Sequence, residues 1–175
     1  MTPVFLASRT SPVPDLPVLT AERPEDAAAV GALIDAAFGP GRFAKTAERL
    51  REGNHPLLDI SFTARSQGEL IGCVRMWPIR IGERAAVFLG PFAVDPVWRS
   101  RGLGATLITT ACEAATAAGH DLILLVGDQP YFGTLGFSMV PERRIVMPGP
   151  VDPRRVLWRA LVPGAADGFD GEVRI

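Results

Sequence analysis

The chain has 175 residues, 47% of them apolar and 21% charged, the proportions of one globular unit able to bury its own core. Lys plus Arg number 18 against 19 Asp plus Glu, a formal net charge of -1, which argues against a charge-driven nucleic-acid or anionic-membrane partner and leaves any anion recognition local. The two cysteines, Cys73 and Cys112, lie in apolar stretches and read as core thiols in a reducing, cytoplasmic setting, not as a disulfide framework.

Residues 1–17 lack a basic start followed by a long apolar run, and Pro3, Pro12, Pro14 and Pro17 interrupt them, so they read as an extended leader before a single domain over 18–175. Val18 to Glu22 reads as a short strand, and Arg23-Pro24-Glu25-Asp26 opens a helix that Gly39-Pro40-Gly41 stops after about Phe38. A shorter helix is expected from about Lys45 to Glu52. The stretches LLDISFTA, LIGCVRMWPIRI and AAVFLGPFAV, parted by SQGE and GER turns, predict an antiparallel three-stranded meander. After VDPVWRSRGLG comes a helix with Leu103, Leu107, Ile108, Ala111, Ala114 and Ala118 as its apolar stripe and Gly119 as its stop. DLILLVG then reads as a strand buried on both faces, reached by a right-handed crossover. A short helix around Pro130 to Leu135, the strand FSMV, the proline-punctuated RRIVMPGPVDP, the strand RVLWRALV and a Gly-rich tail complete the chain. The fold class is α/β, a mixed and mostly antiparallel sheet with helices on both faces.

The segment Arg99-Ser100-Arg101-Gly102-Leu103-Gly104 joins a strand to a helix. The first amides of a helix have no internal partner and sit at the positive end of its dipole, and Gly102 and Gly104 let a diphosphate approach them. Arg99 and Arg101 add forked, permanently charged donors. A P-loop would need GxxxxGK with Ser or Thr after it, and GxGxxG fails at Leu107, so kinase and dehydrogenase chemistry are disfavoured. Gly90-Pro91 inside the preceding strand denies it a ladder bond and predicts a bulge, which frees backbone groups for a ligand.

With the bulge, Arg99, Gly102 and Gly104 in place, the sequence resembles the GNAT superfamily of N-acetyltransferases, marked by a bulged strand and Arg/Gln-x-x-Gly-x-Gly/Ala at the start of a long helix. LGPFAVDP, LILLVGD and YFGTLGF extend the likeness over residues 18–140 and are most similar to a bacterial branch of predicted acetyltransferases. The resemblance implies acetyl-CoA as cosubstrate, with the backbone of Phe92, Ala93 and Val94 pairing with the pantetheine arm and Ser100, Arg101, Gly102, Leu103, Gly104 and Ala105 holding the pyrophosphate. It implies acetyl transfer to a primary amine of a small molecule or peptide by direct attack, Val94 or a neighbour giving an oxyanion donor from its amide. A monomer or a homodimer would suit the superfamily.

That family commonly carries a tyrosine acid four residues before the glycine of a Gly-Phe pair. Here the position is Phe132, and the adjacent Tyr131 is the candidate acid in its stead. The departure gives a second reading, a CoA-binding sensor or interaction module with weak or no catalysis. Asp128 stands where the family often has Asn, and would orient pantetheine or amine, or cap the short helix, the role its side chain suits better. Glu83, Asp95, His55 and Glu48 are possible bases, none marked by spacing. His55 and His120 lack ligand-spaced companions, so no metal is expected. Arg42, Phe43 and Lys45 fall where the superfamily shapes its acceptor pocket, though a solvated amphipathic helix explains them as well.

Overall fold

The computed structural model describes residues 16–175, so the leader read over 1–17 lies outside the described residues except for Leu16 and Pro17. Strand β1 (Val18–Ala21) leads into helix α1 (Ala27–Phe38) and the single turn of α2 (Thr46–Arg49). The longer helix expected over Lys45–Glu52 does not form. The Arg51 and Asn54 amides reach only three residues back, to Glu48 and Arg51, and Gly53 adopts φ 71°, so the chain turns away.

The meander is β2 (Phe62–Ser66), β3 (Glu69–Ile81) and β4 (Arg84–Val94). Its first strand starts at Phe62 and not Leu57, because the Ser61 hydroxyl donates to the Leu57 carbonyl at 2.8 Å and accepts from the Met76 amide at 2.9 Å, folding the intervening residues into a turn. Helix α3 (Leu103–Ala117) buries Leu103, Leu107, Ile108, Ala111, Cys112 and Ala115, so Cys112 and Ala115 replace Ala114 and Ala118 in the expected stripe. Gly119, at φ 82°, closes it with the paired bonds of a Schellman turn, His120 N–H to the Ala115 carbonyl and Gly119 N–H to that of Thr116, both 3.0 Å. Strand β5 (Leu122–Val126) follows, then α4 (Gln129–Gly133), β6 (Ser138–Met139), β7 (Ile145–Val146), β8 (Val156–Ala160) and β9 (Gly171–Arg174). The Gly-rich tail thus supplies a strand that its composition does not predict. Buried Phe169, with the Arg84 guanidinium 4.2 Å from its ring centroid, anchors that tail beside β3.

The sheet runs β1-β2-β3-β4-β5-β8-β6, with β9 pairing β3 and β7. Among the described residues only β4–β5 and β7–β9 are parallel. This is the mixed, mostly antiparallel α/β architecture expected. One face packs on α3, where a Cβ on Gly72 would stand 2.8 Å from Leu107 Cδ1, so glycine there lets the helix lie close. The other carries Cys73 and Ala93 against Val30 and Ile34 of α1, and continues into a second cluster around Trp77, Phe88, Trp158 and Phe169. Burial pushes the Cys73 thiol up to about 12 and Cys112 to about 11, which makes both inert core thiols. Among the described residues no helix is long and apolar enough to cross a membrane.

Candidate functional site

The strand register locates the bulge. Val74 faces Phe92 and Met76 faces Leu89, so the single residue Arg75 opposes both Gly90 and Pro91. The extra residue inverts the alternation of β4, and the α3 face is built by Val87 and Leu89 before it and by Phe92 and Val94 after it. Two side chains hold the distortion from β3. The Trp77 indole N–H donates to the Gly90 carbonyl, and Arg75 pairs with buried Glu22, its Nε lying 2.9 Å from Glu22 Oε2.

Beyond the bulge β4 leaves β5. The two strands pair only at Val87–Ile123 and Phe88–Leu124, and a wedge opens between Gly90–Val94 and Val126–Asp128. The Asp95 amide donates to the Ile71 carbonyl at 2.9 Å, so the alternation of an antiparallel ladder turns the backbone groups of Phe92 and Val94 into the wedge and those of Ala93 toward β3. The expected three-residue pairing surface is therefore Phe92 and Val94, with Ala93 facing the other way. Arg99 Nε donates to the Val94 carbonyl at 3.1 Å, which leaves Val94 its amide.

The loop between β4 and α3 delivers the helix N-terminus to the wedge. Asp95 accepts from the Val97 amide and starts the turn, Ser100 adopts φ 60°, and Gly102 caps α3 at φ 81°, a conformation that costs other residues about 1–2 kcal/mol. The first amide to bond within the helix is that of Thr106, to the Gly102 carbonyl at 3.0 Å, so the Leu103, Gly104 and Ala105 amides are open to a ligand. Arg101 lies over Trp98 with its guanidinium 5.3 Å from the ring centroid. Arg99, engaged with Val94, braces this loop.

Tyr131 and Phe132 diverge as neighbours on a helix must. A Cβ on Gly104 would lie 2.8 Å from the Tyr131 hydroxyl and 2.8 Å from Phe92 Cζ, which places Tyr131 over the start of α3, stacked on Phe92 at 6.4 Å between centroids. Burial pushes its phenol up. Phe132 instead packs edge-on against Phe137 at 5.9 Å and faces a cavity of about 540 Å³. The cavity is walled by the bulge, the end of β5, residues 38–51 and residues 150–155. Asp128 borders it too. Asp128 occupies the N-cap position of α4, yet its side chain makes no capping bond and pairs with Arg155 at 3.2 Å, contrary to the cap expectation.

Arg42 and Lys45, explicable as solvated surface, also border this cavity, whereas Phe43 is exposed under the Arg42 guanidinium. Of the four possible bases, Glu83 is 90% exposed at the far hairpin, Asp95 is a cap and His55 sits in an exposed loop, and only Glu48 approaches the cavity, between Arg42 and Arg51. Thr46, Arg51, Asp152 and Arg155 are lining residues that sequence reasoning missed. No local pattern marks them. Their segments meet through Thr46 Oγ1 donating to the Pro150 carbonyl and Arg49 Nη1 to that of Pro148 at 2.9 Å.

Residues 28–137 match the Acetyltransferase (GNAT) family, and the chain belongs to that family. Among solved structures, the GNAT family N-acetyltransferase YhbS from Escherichia coli in complex with CoA superposes with a TM-score of 0.78 at 24% identity, over 90% of this chain and 88% of that one. A GNAT acetyltransferase from Brucella melitensis in complex with acetyl-CoA gives 0.69 at 24% identity, over 91% and 96%. Arabidopsis thaliana Naa50 in complex with a bisubstrate analogue, CoA-Ac-MVNAL, gives 0.57 at 14% identity, over 82% and 97%. At such identities the likeness is one of fold. No curated protein matches the sequence.

Proposed function

We propose that this chain is an acetyl-CoA-dependent N-acetyltransferase that acylates a primary amine by direct attack. The observation that carries it is the conjunction of the wedge beside β4 with three open amides at the start of α3. The Leu103, Gly104 and Ala105 amides would hold the pyrophosphate, with Arg101 and the Ser100 backbone beside them, and the Phe92 carbonyl and the Val94 amide would pair with the pantetheine as an added strand does. Tyr131, stacked on Phe92 and lying over Gly104, would wall that arm. The thioester supplies an activated acyl carbon, to which the amine nitrogen bonds as the carbon–sulfur bond breaks and the thiolate departs.

Phe92 borders the cavity and Val94 does not, and Pro91 has no N–H to give. The oxyanion donor is thus best assigned to the Phe92 amide, the neighbour of Val94 nearest the cavity. The amine must arrive neutral, and solvent in the open cavity takes its proton. Phe132 offers no proton to the thiolate, which leaves as a weakly basic group without a dedicated acid. Two free buried thiols fit a reducing compartment, so a cytoplasmic site of action belongs to this proposal.

The test combines binding and turnover. CoA should bind in calorimetry, and acetyl-CoA with a panel of amines should release free thiol. Gly102→Val, which strains an exposed loop, should stay folded by circular dichroism while CoA affinity falls at least tenfold. Unchanged CoA affinity in the folded variant contradicts the cradle. Tight CoA binding with no thiol release on any amine would favour the sensor module, which Phe132 in place of the tyrosine supports.

A further inference from the structure

Resting on the transferase reading, the charge of the cavity says which amines it accepts. Four cations border it, Arg42, Lys45, Arg51 and Arg155, against two carboxylates, Asp128 and Asp152. Both carboxylates are already engaged. Asp128 pairs with Arg155 at 3.2 Å, and Asp152 accepts from the Arg154 amide at 3.0 Å and from its guanidinium at 2.8 Å. Behind the wall, Glu48 alone serves two guanidinium groups, Arg51 at 2.9 Å and Arg42 at 3.6 Å, and its Oε2 receives no well-directed hydrogen bond from either. Arg42 also reaches Asp35 on α1 at 2.9 Å. Lys45 has no carboxylate partner among the described residues, and its ammonium is matched only by the Phe38 ring at 5.9 Å. The lining therefore carries net positive charge with one cation at the mouth unpaired.

Such a cavity repels a simple alkylammonium and offers it no free carboxylate. It suits an acceptor that brings its own anion, while the same field favours the neutral amine needed for attack. A volume of about 540 Å³ is that of a small-molecule site. We propose that the acceptor is a small amine bearing a carboxylate or phosphate, and that Lys45 is the residue that selects it.

The experiment compares ω-aminocarboxylates of increasing chain length, and the matching aminoalkyl phosphates, with n-alkylamines of the same length. Each is read by thiol release at saturating acetyl-CoA and, independently of turnover, by calorimetric binding of its N-acetyl derivative. One anionic series should exceed the neutral amines at least tenfold in kcat/KM, and the better of the two identifies the anion as carboxylate or phosphate. Lys45→Ala should erase most of that preference through KM with kcat little changed, and Lys45→Arg should retain it. Neutral amines that equal or exceed both anionic series at every length, or a preference that survives Lys45→Ala, overturns the proposal. If no amine is turned over, the transferase reading fails by itself. The N-acetyl derivatives then decide, because Lys45-dependent binding of the anionic ones upholds the pocket and equal binding of charged and neutral ones refutes it.

Discussion

The two sides of the wedge are made of different material. From Phe92 to Ala105 the groups turned to the wedge are mostly backbone, namely the amides of Phe92, Val94, Leu103, Gly104 and Ala105, fixed by a bulge, a positive-φ glycine and a helix start. Across the bulge the cavity is made of side chains from segments far apart in the chain, residues 38–51, 125–132 and 150–155. Backbone groups cannot be changed by ordinary substitution, so a cradle of this kind would suit the invariant part of the proposed cosubstrate. Side chains can be exchanged singly, so on the proposed reading the other side would set specificity for the acceptor.

The strongest way to break this division is at the wall the two sides share. Arg75→Met leaves Glu22, only 4% exposed, buried without its partner and frees the strand opposite Gly90 and Pro91. Unfolding free energy in urea should drop by about 3–5 kcal/mol, and CoA affinity and turnover should decline together. A loss below about 1 kcal/mol would mean that the Trp77 bond and the ladder hold the bulge unaided. Next come the two one-sided changes, Gly102→Val acting on CoA and Lys45→Ala acting on the acceptor, whose effects should add when combined because they share no partner. The smallest effect is expected from Tyr131→Phe. With the hydroxyl over Gly104 and not in the cavity, kcat should change less than about threefold. A hundredfold loss with the basic limb of the pH profile displaced would instead make Tyr131 the acid.

This division also explains what could be read in advance. The cradle is local, and each of its parts has a sequence sign: Gly90-Pro91 for the bulge, Arg99 to Gly104 for the loop, Leu103 to Gly119 for the helix. Even there, spacing could not show that Arg99 turns back to the Val94 carbonyl or that Ala93 faces β3, since both depend on register. On the cavity side Arg42 and Lys45 looked like any charged residues of a surface helix, and nothing near Asp152 or Arg155 pointed to a partner a hundred residues earlier. The tail strand β9 was missed for a similar reason, its short pairing being set by Phe169 docking and not by propensity.

The most direct test is an amide-resolved NMR titration of the protein with CoA. The Phe92, Val94, Leu103, Gly104 and Ala105 amides should shift most, while those of Arg42 and Lys45 should move little until an acceptor analogue is added. CoA-induced shifts that spare Leu103 to Ala105 and gather elsewhere would contradict the cradle.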